Sequence, residues 1–235
     1  MDHDSITSIR AQEAQSHIAL YSSAKLYEQG SWLQKPVKTI LDTLPYFSAC
    51  DDIRILDLGC GVGRNSIAIA RFFQDRSCMI DCVDILDFAI RRLLEYAKEY
   101  HVLAHIHPYH SSIDDFPIPP ESYHWILAVS ALEHMDSETT FRSKLEQIRD
   151  GICKNGIVSL ILNSEVSEWD KVSGAPRTAQ FEVNLPTQTL IAILKTTFSQ
   201  WDEQKLTVKE QVYEIPREHG SSILRSNVVT FVAKK

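Results

Sequence analysis

The stretch from Asp52 to Phe73, "DIRILDLGCGVGRNSIAIARFF", constrains the fold of this chain more than any other. An apolar run typical of a buried strand leads directly into a helical pattern, and three of the chain's eight glycines lie within five residues at the junction. Glycine adopts positive φ angles at low cost, and because it has no Cβ it lets a ligand approach the backbone. The following helix adds free N–H groups and positive potential. The junction therefore predicts a strand, a turn and a helix that together cradle a ligand.

The same alternation of strand and helix patterns continues along the chain after Asp51. The predicted strands are residues 53–59, 78–85, 101–110, 123–130 and 156–163, and the predicted helices are residues 64–74, 86–100, 138–152 and 186–201. This alternation predicts an α/β fold with a mostly parallel seven-stranded sheet and helices on both faces. The last two strands, 203–215 and 226–234, are joined only by a loop. We therefore expect an antiparallel C-terminal hairpin at the sheet.

Two helical stretches, residues 5–29 and 35–47, precede the first strand. The first is polar and has few large apolar residues, so it is a candidate lid; those residues include Ile18, Tyr21 and Tyr27. The second begins near Pro36 and has an apolar face that can cover the sheet, formed by Val37, Ile40, Leu41 and Leu44. We expect a single domain, in which residues 1–50 supply N-terminal helices and residues 51–235 form the core.

The composition excludes several classes of protein. A formal charge of −7 and a pI near 5.7 disfavour nucleic acid and anionic membranes as partners, because phosphate groups would be repelled. The start, "MDHDSITSIRAQEAQ", has no apolar core of a signal peptide, and no window resembles a membrane span. We therefore expect a cytoplasmic protein. The five cysteines are odd in number and lack zinc-site spacing, which favours reduced thiols and no metal.

The glycine pattern distinguishes two kinds of cofactor site. Dinucleotide enzymes use G-x-G-x-x-G, whose third glycine lets the helix pack closely on the strand, but here that position is Arg64. The pattern is instead D-x-G-x-G-x-G, starting at Asp57. With this strand and helix, it resembles the first motif of class I S-adenosylmethionine-dependent methyltransferases, and the resemblance extends from about residue 20 to the end. It implies a Rossmann-like methyltransferase fold with S-adenosylmethionine as the cofactor.

The resemblance also implies which residues bind the cofactor. They are Asp57, Gly59, Cys60, Gly61, Arg64, Asp84, Ile85, Ser112, Ile113 and Ser130. Asp84 matches the acidic residue that accepts hydrogen bonds from the two ribose hydroxyls, a role suited to a carboxylate. In "HSSIDDFPIPPESYHWI", Ser112 stands where the family contacts the adenine amino group, although Asp114 is an alternative. Ile113 stands where an apolar residue flanks the ring.

Several of these residues also have purely structural interpretations. Asp57 either contacts the cofactor or caps amides at the end of the strand. Cys60 is expected to pack, and a solvated side chain is the favoured interpretation of Arg64. Glu133 and His134, in "AVSALEHM", suggest a general base, but a Glu at a helix start and a packed His explain them as well and are favoured. No catalytic residue is therefore assigned.

The function expected from this resemblance is methyl transfer to a small-molecule acceptor, catalysed mainly by positioning. "GRNS" and the C-terminal segment look most like tellurite-resistance-type methyltransferases, while the acceptor and the oligomeric state stay open. A cofactor-binding sensor or assembly protein is an alternative, and an NAD-dependent dehydrogenase is a weaker one because of Arg64 and the antiparallel tail. The long segment 163–186 is predicted to form the acceptor-side wall.

Overall fold

The computed structural model describes residues 18–217 and 220–235. The strands are β1 (Asp52–Leu58), β2 (Ser77–Asp84), β3 (Ile106–His110), β4 (Tyr123–Val129), β5 (Ile152–Asp170), β6 (Pro176–Arg177), β7 (Asp202–Arg217) and β8 (Gly220–Lys234). The α-helices are α1 (Lys38–Thr43), α2 (Ser66–Phe72), α3 (Asp87–Glu99), α4 (Glu138–Gly151) and α5 (Thr187–Thr197). Short 3₁₀ turns cover Leu44–Phe47, Leu103–His105 and Leu132–His134.

The strands form one sheet in the order β3-β2-β1-β4-β5-β8-β7, with the two-residue β6 paired to β5. The first five strands of this row are parallel, whereas β8 runs antiparallel to both β5 and β7. The predicted α/β class, the mostly parallel sheet and the C-terminal hairpin are thus confirmed. Strand order reverses at β1, so β2 and β4 lie on opposite sides of it. In open α/β sheets, ligands bind beyond the carboxyl ends of the strands at such a reversal.

The two faces of the sheet carry separate hydrophobic cores. Side chains alternate along a strand, so Ile53 and Ile55 of β1 face one core while Leu56 and Leu58 face the other. The first core is covered by α1, α2 and α3, and the second by α4 and α5. Covering both faces explains why the parallel strands are almost continuously apolar.

The N-terminal region differs partly from expectation. Within the predicted first helix, the described part is helical only over residues 18–23, and residues 24–29 form turns; residues 5–17 lie outside the described residues. The second stretch is helical as expected and buries Ile40 and Leu44. Leu41, however, is 40% exposed, because the six-residue helix α1 turns only a narrow face to the sheet.

The fifth strand is longer than predicted and bulged. It runs on from Asn163 to Asp170 because β8 continues to pair with it, and a shift of register falls between Ser164 and Ser167. Glu165 lies in the bulge with a φ of 48°. Bulges of this kind bend a strand and are common beside active sites. Among the described residues, no helix is long and apolar enough to cross a membrane.

Candidate active site

All ten predicted cofactor residues lie in or just after β1 to β4, at the carboxyl ends of these parallel strands. The glycine turn follows β1, and its three glycines have φ angles of 73° (Gly59), 55° (Gly61) and 88° (Gly63). L-residues with a Cβ rarely adopt these angles. The N–H groups of Gly59 and Cys60 both donate to Val83 O, at 2.8 and 3.0 Å, which fixes the turn against β2.

The three glycines face different neighbours. A Cβ on Gly59 would lie 2.3 Å from Ala131 Cβ, and one on Gly63 would lie 2.3 Å from Leu93 Cδ1. These two glycines therefore allow close packing within the protein. A Cβ on Gly61 would instead lie 2.6 Å from the hydroxyl oxygen of Tyr21. Gly61 thus faces the N-terminal segment, and its missing side chain leaves room for the Tyr21 hydroxyl.

Asp84, the last residue of β2, lies directly beside the turn. Its Oδ2 accepts a hydrogen bond from Gly61 N at 2.8 Å, and its Oδ1 accepts one from Leu86 N at 2.9 Å. The residue is only 8% exposed. The carboxylate therefore shapes the turn itself and is oriented before any ligand arrives.

Asp57 lies beneath the turn and braces it. The residue is 2% exposed, and its Oδ2 accepts a 2.5 Å hydrogen bond from Ser66 Oγ at the start of α2. Burial raises the pKa of Asp57 to about 7, although the bond from Ser66 opposes that shift. Asp57 thus links β1 to the start of α2 through the Ser66 hydroxyl, and its role in cofactor binding stays a prediction.

The loops after β3 and β4 bring further predicted residues to the turn. Ile113 Cδ1 lies 3.7 Å from the position of a Gly59 Cβ, so its side chain adjoins the turn. Ser130, with a φ of 49°, donates its N–H to Ile161 O at 2.8 Å and leads directly into Ala131. Ile85 is 49% exposed just after Asp84. Ile113 is therefore an apolar group beside the turn, and Ile85 is an exposed apolar group next to Asp84.

Ser112 is already engaged within its own loop. Its hydroxyl donates to Asp115 Oδ2 at 2.7 Å and accepts from Asp115 N at 3.1 Å. Asp114 Oδ1 accepts a long, 3.4 Å hydrogen bond from Asp136 N. Both side chains lie at the end of β3, and the choice between them as the adenine contact stays a prediction.

Cys60 and Arg64 complete the predicted set. Cys60 is buried, and burial together with the neighbouring Cys82 thiol raises the pKa of Cys60, which keeps it a protonated packing group. Arg64 is half-buried: its guanidinium lies 5.4 Å from the centre of the Trp32 ring and donates to Trp32 O at 3.1 Å. Burial lowers the pKa of Arg64. The Arg64 side chain thus packs on an aromatic ring. A solvated side chain was expected from the sequence, and this contact was not predicted.

An N-terminal strap, residues 18–37, covers the glycine turn. Tyr21 is 8% exposed and packs against Trp32, with the two rings tilted by 31° at a centroid distance of 5.7 Å. Burial and the nearby Asp84 raise the pKa of Tyr21. Tyr27 donates its hydroxyl to Arg64 O at 2.8 Å, and Leu26 N donates to the Tyr96 hydroxyl at 3.1 Å. The strap is docked more tightly than its polar sequence suggested. In the sequence, the aromatic residues Tyr21, Tyr27 and Trp32 were the available indication that this segment packs against the protein. Only the fold shows which groups these rings contact.

A second polar cluster lies at the ends of β4 and β5. Glu133 is 2% exposed, burial raises its pKa, and its Oε1 accepts hydrogen bonds from Asn163 N at 3.1 Å and Asn163 Nδ2 at 2.5 Å. His134 Nδ1 lies 3.1 Å from Glu182 Oε2, and its ring centre lies 5.0 Å from that of Phe181. Sequence reasoning missed Glu182 and Asn163, because they are distant in the chain from the loop after β4.

These features fit a ligand made of a nucleoside and a polar tail. A carboxylate beside the turn suits a ribose diol, the apolar side chains of Ile85 and Ile113 suit a flat base, and the Gly61 backbone, which a Cβ would crowd, suits close approach. S-adenosylmethionine has these parts. Among the described residues, no group of three or more metal-ligating side chains is arranged to hold a metal ion.

Comparison with known proteins agrees with this geometry. Residues 55–156 match a family model described as a methyltransferase domain. Over 84 residues the chain is 31% identical to the sterol 24-C-methyltransferase of Candida albicans, an alignment that covers 36% of this chain and 22% of that protein. The chain thus spans about a fifth of the length of this curated relative.

Solved structures support the same fold. TehB from Haemophilus influenzae superposes with a TM-score of 0.63 at 16% identity, covering 85% of this chain and 62% of TehB. The N-methyltransferase NodS from Bradyrhizobium japonicum WM9, in complex with S-adenosyl-L-homocysteine, gives a TM-score of 0.53 at 15% identity, covering 95% and 97% of the two chains. The match to the family model over residues 55–156 supports the resemblance predicted from the sequence, and the solved structures confirm the predicted fold.

Proposed function

We propose that this chain, a member of the class I S-adenosylmethionine-dependent methyltransferase family, moves a methyl group from S-adenosylmethionine to a small-molecule acceptor. The observation that carries the proposal is the pairing of Gly61 with Asp84. Gly61 has no side chain and a positive φ, Asp84 supplies an oriented carboxylate, and the two are joined by a 2.8 Å hydrogen bond at the carboxyl ends of β1 and β2. A cytoplasmic location is kept as a prediction.

In this proposal different residues contact different parts of the cofactor. Asp84 accepts hydrogen bonds from the ribose hydroxyls, and Ile85 and Ile113 flank the adenine. Ser112 or Asp114 meets the adenine amino group. The methionine part lies over Gly59 and Gly61, where Tyr21 of the strap excludes water from above. When bound, S-adenosylmethionine supplies a methyl group that its sulfonium already makes electrophilic.

Catalysis then depends mainly on alignment. The chain has to hold the acceptor's lone pair in line with the bond from the methyl carbon to sulfur and keep water out. Correct positioning of two reactants contributes about 7 to 11 kcal/mol in well-oriented systems, so much of the rate needs no further group. Asp57 and Cys60 can therefore serve as buried structural groups beside the cofactor and need not take part in the chemistry.

The acceptor is proposed to bind against segment 163–186. Two backbone hydrogen bonds fix this segment: Val183 N donates to Glu133 O at 2.9 Å, and Glu165 N donates to Leu185 O at 2.9 Å. A buried ion pair fixes it further, because Arg217 meets both carboxylate oxygens of Glu168, at 2.8 and 2.5 Å, and also Gln180 Oε1 at 2.7 Å. The proposed wall is therefore anchored on both β4 and the C-terminal hairpin.

The test is release of S-adenosylhomocysteine from S-adenosylmethionine in the presence of defined acceptors. A panel of thiols, amines, alcohols, phenols and oxyanions should include at least one class that is turned over. Tight cofactor binding with no turnover by any of them would favour a sensor or assembly protein. Binding of NAD in place of S-adenosylmethionine would favour a dehydrogenase, although Arg64 occupies the third glycine position of that pattern.

A further inference from the structure

Arg64 is a partly buried cation without a carboxylate partner in the described part of the chain. The other partly buried arginines there each form an ion pair with an Asp or Glu; they are Arg54, Arg92, Arg149, Arg177 and Arg217. The guanidinium of Arg64 instead donates to a neutral acceptor, Trp32 O, at 3.1 Å. Taking a charge out of water is costly unless an opposite charge compensates. The fold thus maintains an uncompensated positive charge beside the glycine turn.

The acidic group below the turn compensates this charge only in part. Asp57 acts on Arg64 electrostatically, but its Oδ2 accepts its hydrogen bond from Ser66 Oγ. Burial raises the pKa of Asp57 to about 7, so its carboxyl group is only partly ionised at neutral pH. Asp57 therefore supplies less than a full negative charge to its neighbour.

The guanidinium is positioned by an aromatic ring and keeps donors open to solvent. It lies 5.4 Å from the centre of the Trp32 ring, and the Arg64 carbonyl accepts a hydrogen bond from the Tyr27 hydroxyl at 2.8 Å. Of its five N–H groups, one is used by Trp32 O. Within residues 18–217 and 220–235, the buried side-chain nitrogens and oxygens that lack a partner do not include those of Arg64, so its remaining donors reach solvent. A carboxylate matches such a planar fork with two parallel hydrogen bonds.

A second exposed aromatic ring lies on the same side of the sheet. Val232 of β8 belongs to the first core, so Leu224, eight residues earlier in this strand, faces the same side. Tyr213 of β7 pairs with Leu224 and shares its face, which is the face covered by α2 just after Arg64. Arg64 also lowers the pKa of Tyr213, against the rise that burial causes, as expected for neighbouring groups. Trp32 is 44% exposed and Tyr213 is 46% exposed.

This face also carries part of the proposed acceptor wall. Leu224 pairs with Glu168 of β5, so Tyr213 lies two strands from segment 163–186 on the same face. Glu168 already has its own arginine, because Arg217 donates to both of its carboxylate oxygens. The positive charge of Arg64 is therefore left for a ligand on the acceptor side.

We propose that the methyl acceptor carries a carboxylate that binds Arg64 and an apolar body that packs against Trp32 and Tyr213. The inference rests on the proposed methyl transfer and names the class of its substrate. The methyl group goes to a different atom of the acceptor, since a guanidinium that pairs with a carboxylate withdraws electron density from its oxygens. The acceptor class is thus a small apolar carboxylic acid with a second, nucleophilic group.

Binding without turnover tests this site. Hydrocinnamate and its amide, which has a similar shape but no charge, are titrated calorimetrically into the full chain saturated with S-adenosylhomocysteine. The acid should bind at least ten-fold more tightly than the amide. Arg64→Gln should lower the affinity for the acid roughly ten- to 150-fold and remove the difference between the two probes, while Arg64→Lys should retain part of it. Equal binding of acid and amide to the wild-type chain, or binding of neither, would overturn the proposal.

Arg71→Gln is the matched control. Arg71 lies in α2, is exposed, and also has its guanidinium over an aromatic ring, at 5.5 Å from the centre of Tyr100. This variant loses the same charge and should bind hydrocinnamate like the wild type; an equal loss would reduce the effect to net charge and overturn the site. Tyr213→Ala should weaken hydrocinnamate several-fold through lost ring contact, and unchanged affinity would overturn the aromatic part of the proposal.

The methionine carboxylate of the cofactor is the other source of this chemistry. S-adenosylhomocysteine has that carboxylate and methylthioadenosine lacks it, so both are titrated into the wild type and Arg64→Gln. The substitution should change the two affinities by a similar, small factor. A selective loss for S-adenosylhomocysteine would assign Arg64 to the cofactor and overturn the acceptor site. Failure of S-adenosylhomocysteine to bind the wild-type chain would instead refute the proposed function, so the two failures are distinguishable.

Discussion

Replacing Gly61 by alanine tests the cofactor cradle most directly. Gly61 has a φ of 55°, and a left-handed conformation costs an L-residue about 1–2 kcal/mol. Alanine recovers about 0.4–1 kcal/mol by restricting the unfolded chain. The strain alone should therefore reduce the free energy of unfolding by about 1 kcal/mol, which lowers Tm by roughly 2–4 °C in a chain of this size.

Cofactor binding should fall by more than strain explains. The new Cβ would lie 2.6 Å from the Tyr21 hydroxyl oxygen, so the Tyr21 side chain has to shift. In the proposed function the Cβ would also occupy the face that the ligand approaches. Excess volume in a well-packed site costs about 1–3 kcal/mol. The dissociation constants for S-adenosylmethionine and S-adenosylhomocysteine should therefore both rise roughly 5- to 150-fold in calorimetric titration.

Gly30→Ala is the matched control for this experiment. Gly30 also has a positive φ, 85°, but a Cβ there would meet no atom within 4 Å. It should show a similar loss of stability and unchanged cofactor affinity. If folded Gly61→Ala binds both ligands as tightly as Gly30→Ala does, the ligand does not pass over Gly61 and the proposed cradle is wrong.

Four further predictions concern other parts of the site. Asp84→Ala should weaken S-adenosylmethionine binding by about 1.5–3 kcal/mol, roughly ten- to 150-fold in titration, and should also lower Tm, because two backbone N–H groups lose their acceptor; wild-type affinity in a folded variant would contradict this role. Amide exchange of the strap, residues 18–37, should slow when S-adenosylmethionine is added, whereas full protection without ligand would exclude a moving lid. Deleting residues 172–178 should abolish turnover and leave cofactor affinity within a few fold, and an equal loss of both would make the segment structural. Burial raises the pKa of Asp57 to about 7, so the folded chain holds a proton that the unfolded chain releases near pH 4, and stability should fall as pH rises from about 4 to 7; thermal melts of Asp57→Asn should show a flatter profile over that range, and a profile like that of the wild type would refute the buried proton.

The sequence was sufficient to predict the order and type of most core elements, because hydrophobic periodicity is a local property. The run from Asp52 to Phe73 predicts strand, turn and helix, and the structure confirms them as β1, the glycine turn and α2. Strand lengths were less predictable. Residues 164–170 extend β5 only because β8 is available to pair with them, and the bulge at Glu165 follows from that pairing.

The local sequence pattern around the glycine turn was also sufficient to predict a cofactor site. Asp57, the glycines and Asp84 occur at fixed offsets from strand ends, and a parallel sheet brings those ends to one edge, so a pattern in the chain predicts a neighbourhood in space. Only the tertiary structure decided which groups meet there. Tyr21 lies over Gly61, and Glu182 pairs with His134, across 40 and 48 residues of chain. Contacts between distant segments depend on how the helices and loops pack against the sheet, and no periodicity along the chain records that packing.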